Sequence, residues 1–177
     1  MPSKVVLLLV ALAVQAFPAT SQKRSDFDPV AFLLGEWKPA SGSSAKVSAK
    51  APETVFHPAL EGQVIVREIR SGKKAADASR HDLLVIYRDD EANGLRALYF
   101  DEDGHTIQYT VAATGMNEIT FLSQDSFGKP RYRLSYRLDS KENLLGELDV
   151  AAPNNATFKT HQRWTARRVE ERREGWL

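Results

Sequence analysis

No cysteine occurs in the 177 residues. Without disulfides, the core itself must supply the stability. A bacterial lipoprotein anchor, which is built on a cysteine, is excluded on the same ground. The chain also lacks an excess of charge of either sign, with 24 Lys and Arg against 23 Asp and Glu. Lys4 is the only charged residue in 1–21, so the remainder carries 23 of each sign. That balance excludes a general nucleic-acid binder, which needs a basic surface to displace counterions. The longest apolar run, Val5 to Val14, falls short of the roughly 20 residues a membrane-spanning helix needs. A Gly-X-Ser-X-Gly elbow, a phosphate loop and a dinucleotide fingerprint are all missing. Ser123, Ser126 and Ser135 lie in no nucleophile motif, and His57, His81, His105 and His161 form no His-X-X-X-His pair.

What is present begins with a leader. Lys4, the apolar run and the small residues up to Ser21 predict a secretory signal peptide over 1–21, cleaved after Ala16 or Ser21. Export to a periplasm or to the medium is the expectation. The remainder, 42% hydrophobic and 27% charged over the whole chain, suits one globular domain. We expect that domain over 22–168, followed by a charged tail over 169–177; alternation already lapses from Ala166.

Asp28-Pro29 and Gly35 bracket a short helix of about two turns, with Asp28 as cap and Pro29 at the first helical position. Beyond it, the period is two. Ile107, Tyr109 and Val111 alternate with polar neighbours, and Tyr132, Leu134, Tyr136 and Leu138 share a face opposite Arg131, Arg133, Ser135 and Arg137. Leu83 to Tyr87 is apolar on both parities, which predicts a strand covered on both faces. Asn93-Gly94 and Asp103-Gly104 are hairpin turns. Lys38 to Lys50 and Ser71 to Ser79 read as loops. Strand starts recur every ~10 to 13 residues, the rhythm of an all-β sandwich or barrel. With about nine or ten hairpin-linked strands, closing the sheet is the usual way to remove exposed edges.

Phe32-Leu33-Leu34-Gly35-Glu36-Trp37 resembles the opening of lipocalin-like (calycin) barrels, where a short helix leads through Gly-X-Trp into the first strand. Residues 27–168 resemble exported bacterial lipocalin-like proteins of unknown function and, more distantly, nitrobindin-type barrels. The resemblance implies an up-and-down antiparallel barrel of about eight to ten strands, open at one end. It also implies that His161, near the start of the last strand, is the haem ligand. Alternation groups Phe158, Gln162 and Trp164 on one face, sending His161 to the other with Lys159 and Arg163 unless a β-bulge intervenes.

Two functions follow as expectations. The first is an exported, non-catalytic barrel for a small apolar or amphiphilic molecule, lined by Trp37, Tyr99, His105, Tyr109, Tyr132 and Tyr136. His105 shares the parity of Ile107, which points it inward at the rim; bonding to Asp103 or Glu102 is its plainer role. The second is a haem- or metal-binding protein, or a weak enzyme, using His105 or His161. His81, Asp82 and Glu53 are strand-end polar groups able to face a cavity, and Glu53 with Arg67 or Arg70 is a candidate surface pair. Asp101-Glu102-Asp103-Gly104 reads as a turn rather than a calcium loop, because the remaining ligands are missing. Asn155-Ala156-Thr157 is a glycosylation sequon, meaningful in a eukaryotic secretory route.

Overall fold

The two-residue period becomes ten antiparallel strands in a computed structural model that describes residues 26–40, 53–70 and 82–170. These are β1 (Gly35–Pro39), β2 (Glu53–Ala59), β3 (Val64–Arg70), β4 (Asp82–Asp89), β5 (Gly94–Asp101), β6 (Thr106–Gly115), β7 (Glu118–Ser123), β8 (Arg131–Leu138), β9 (Asn143–Ala151) and β10 (Lys159–Arg168). Each strand pairs with its sequence neighbour, and β1 pairs with β10, so the sheet closes as an up-and-down barrel. Closure removes every unpaired edge. The architecture agrees with the calycin-like expectation. The signal peptide, the loops within 41–52 and 71–81, His81 and the tail from 171 onward lie outside the described residues.

The predicted helix is a 3-10 turn, Asp28–Leu33, with Pro29 in its first turn. Asp28 does not cap it: the cap position is Phe27, without a side-chain bond. The turn seals one end of the barrel. Val30 and Leu33 are fully buried, and the Trp37 indole nitrogen donates to the Leu33 carbonyl at 2.7 Å. Arg168 stacks 4.3 Å from the Trp37 ring and donates to the carbonyls of Phe32, at 2.9 Å, and Leu34. β10 therefore extends through Ala166, which is buried, to Arg168, beyond where the alternation lapses.

Above this seal the interior is filled with rings. Tyr136 meets Phe56 at 5.6 Å, Trp164 at 5.8 Å and Phe121 at 6.2 Å, all edge-on, and Phe121 meets Tyr109 at 6.3 Å. Edge-on contacts align the positive rim of one ring with the negative face of the next. Gly146, opposite Trp164 in register, leaves the space this indole occupies; a β-carbon there would fall inside the ring.

β4 is packed on one face only. Leu84 and Ile86 are fully buried, whereas Leu83 and Val85 remain half-buried on the outside. Their cross-strand neighbours Val66, Leu98 and Phe100 shield them in place of a second layer.

Candidate functional site

In a ten-strand closed barrel, β3 and β8 stand five steps apart in either direction, on opposite walls. Arg67 on β3 nevertheless reaches Tyr136 on β8: its Nη1 donates to the Tyr136 hydroxyl at 2.9 Å. The side chain is a crossbar through the lumen. Arg67 has the parity of Ile65, so the strand itself turns it inward. Its second arm donates to Asp82, Nη2 to Oδ1 at 2.6 Å, and the Tyr99 hydroxyl donates to the other carboxylate oxygen at 3.2 Å. Tyr99 also lies beside the guanidinium, 5.9 Å from ring centre to Cζ. The side chains of Arg67 and Asp82 are only 8% and 14% exposed.

The electrostatics follow from that burial. Removal from water pulls against the Arg67 charge, but the Tyr136 hydroxyl and the Asp82 carboxylate outweigh it, and the guanidinium is held above the ordinary arginine value. Burial, then the Asp82 charge, pushes the Tyr99 phenol up to about 12. Burial also raises Tyr109, against the opposing pull of the Arg67 charge. Tyr99 and Tyr109 are therefore neutral donors at physiological pH.

Arg67 Nε is sealed and has no partner, a cost on the order of 1–3 kcal/mol for an orphaned buried donor. Among the described residues the only other such atom is Arg131 Nε. The hydroxyls of Tyr109 and Tyr132 make no side-chain hydrogen bond among the described residues.

Three of the expected lining residues, Tyr99, Tyr109 and Tyr136, thus gather around one buried cation, and Tyr132 lies near Tyr109. Trp37 does not join them; it is fully buried in the sealed end. His105 sits in the turn between β5 and β6, not on a strand, and is not turned into the barrel. Its side chain is 71% exposed and its Nδ1 lies 3.0 Å from Asp101 Oδ2. The partner is thus Asp101, rather than Asp103 or Glu102. Asp101 also accepts from the His105 amide at 2.8 Å, and these bonds help hold its carboxyl below the usual range despite the opposing pull of burial. Asp101, Asp103 and His105 bring ligand atoms within 4.8 Å of one another, all at the turn's surface. The bonds within Asp101 and His105 account for that grouping as turn chemistry.

His161 is exposed, at a β-bulge where the pairing of β10 with β9 slips between Thr160 and Gln162. The bulge does not turn His161 inward. It moves Phe158 to the outer face, where the ring lies 4.7 Å from Arg133 Cζ and 5.5 Å from Arg131 Cζ. Phe158 and Trp164 therefore do not share the core face. Beneath Phe158, Asp149 is buried and accepts twice from Arg133, at 2.8 and 3.0 Å. Glu53 lies 3.7 Å from Lys38, and Arg67 is turned inward onto Asp82, so that surface pair does not form; the Arg70 side chain lies outside what is described.

Sequence reasoning missed Arg67 and Asp82 as a buried pair. The available signal was the parity of Arg67 within Val64-Ile65-Val66-Arg67-Glu68-Ile69, which sets it with the isoleucines. Two depressions are found elsewhere: about 400 Å³ outside β8–β10, beside Arg137, Glu147 and Arg163, and about 230 Å³ at the sealed end, between Pro29, Arg88 and Leu95. The sequence matches no protein-family model and no curated protein. Among the described residues, no helix is long and apolar enough to cross a membrane.

Proposed function

We propose that the barrel is an exported, non-catalytic binder of a small amphiphilic molecule. The guest's polar end rests on the Arg67–Asp82 crossbar, and its apolar part lies toward the β5–β6 turn, among Tyr99, Tyr132 and Ile107. The observation that carries this reading is the crossbar itself. A buried ion pair is a poor source of stability, because the desolvation cost of both ions offsets their attraction. Here the pair keeps an orphaned Nε and the hydroxyls of Tyr99, Tyr109 and Tyr136 beside it, that of Tyr109 without a partner among the described residues. Such convergence of a few polar groups in an apolar barrel is what orients a bound ligand. Export rests on the leader over 1–21.

Nile red, a neutral apolar dye, provides the test. The wild-type protein should enhance its emission, and Ile107→Trp, which narrows the interior toward the β5–β6 turn, should abolish that enhancement while leaving the melting temperature within a few degrees. Equal enhancement by both proteins would refute the interior site. No observation favours the haem or metal alternative, since His105 and His161 both stand exposed. A Soret shift on haem titration that disappears in His161→Ala would reinstate it.

A further inference from the structure

We infer that the polar end of the guest is an uncharged hydrogen-bonding group, an alcohol or a ketone, rather than a carboxylate or another anion. This inference rests on the binding reading above and adds the class of ligand. The argument is one of charge and of donor inventory. Among the described residues, Arg67 is the cation bonded to this tyrosine cluster, and its charge is already met at 2.6 Å by Asp82. An incoming anion would gain an attraction that Asp82 has spent, and would meet the Asp82 carboxylate as a like charge in a poorly screened interior. An incoming cation would meet Arg67 in the same way.

A neutral oxygen meets neither penalty. The Tyr109 hydroxyl makes no side-chain hydrogen bond among the described residues and offers a donor. Burial raises the Tyr109 phenol, so it remains a donor under ordinary conditions. Asp82 accepts one bond from Arg67 and one from Tyr99. A carboxylate has about four lone-pair sites, so it retains capacity for a guest hydroxyl. The crossbar with its tyrosines can therefore satisfy a ketone through its donors, and an alcohol through donor and acceptor together.

Three probes with the same chain, 1-dodecanol, 2-dodecanone and dodecanoate, separate these cases by displacement of Nile red at pH 7.5. Wild-type protein should bind the alcohol and the ketone at least about tenfold more tightly than the carboxylate, a modest size for a like-charge penalty inside a protein. Asp82→Asn keeps the shape and an acceptor but frees the Arg67 charge, and it should reverse the order in favour of dodecanoate. Preference of the wild type for dodecanoate would overturn the inference, as would an unchanged order in Asp82→Asn. Should that variant fail to fold, the wild-type order decides alone. If none of the three probes displaces the dye, the binding reading itself falls; if they bind in the wrong order, only the charge argument falls.

Discussion

Removing Asp82 should be far more harmful than removing the whole ion pair. The two groups are separated by 2.6 Å between Nη2 and Oδ1, with side chains 8% and 14% exposed. At charge centres about 4 Å apart and an effective dielectric constant near 20, their attraction is about 4 kcal/mol. Each ion pays several kcal/mol in lost hydration, so the net contribution of the pair lies near zero. Asp82→Ala deletes the attraction and leaves the hydration cost of Arg67 in place, with Tyr136 as its remaining hydrogen-bond partner. The expected loss is about 3–5 kcal/mol, a large share of the ~5–15 kcal/mol available to a domain. Arg67→Met with Asp82→Leu removes both charges and restores apolar volume, and should lie within about 1 kcal/mol of the wild type. Urea unfolding followed by tryptophan emission measures all three proteins, since Trp37 is buried and Trp164 packs on Tyr136. The reasoning fails if Asp82→Ala costs less than about 1 kcal/mol, because Arg67 would then have found water. It also fails if the double variant is as unstable as the single one.

Three further outcomes follow from the packing and the surface charges. Gly146→Ala drives a methyl into the Trp164 indole, and should cost at least the usual 1–3 kcal/mol or so of an overpacked core; adding Trp164→Leu should recover part of it in a thermal melt. Arg168→Ala removes the bonds to the Phe32 and Leu34 carbonyls and the stack on Trp37, so about 1–3 kcal/mol should be lost, with a red shift of Trp37 emission as the sealed end loosens. The Glu147 carboxyl is held at about 2, chiefly by the bond from Arg163 and with help from Thr160, against 4.5 ordinarily. The unfolded chain takes up that proton first, so the stabilisation is present above the ordinary value and is lost as pH falls toward 2. Solvent screening keeps it under about 1 kcal/mol. Arg163→Gln should raise this carboxyl by NMR titration and flatten that part of the acid limb, whereas an unshifted carboxyl would show that the pair does not hold in solution.

Alternation reports which wall of a strand a residue faces, and for most of the barrel that was enough. β8 was legible in full, because Tyr132, Leu134, Tyr136 and Leu138 never break step with their polar neighbours. Trouble came where the period stops. The parity of Ile107 points His105 inward, but His105 belongs to the turn, where backbone geometry and Asp101 decide its direction. At His161 one extra residue shifts the pairing, so Phe158 leaves the core face that it would otherwise share with Trp164. Arg67 failed for a different reason. Its parity was readable, but a charged residue is rarely buried without a partner, and both partners are invisible locally. Asp82 begins the next strand, beyond a segment that carries no periodic signal, and Tyr136 lies 69 residues away. Only closure of the sheet brings the β3 and β8 walls face to face across the lumen. Tyr99, Tyr109 and Tyr136 could be chosen from sequence because aromatic residues on an inward parity line any barrel. Their common centre could not, because it depends on how far across the lumen one guanidinium extends, and no strand encodes that by itself. An inward-parity arginine in a strand of isoleucine and valine is therefore the signal to weigh in such a chain: closing the barrel forces that charge either to find an acid inside or to leave the sheet.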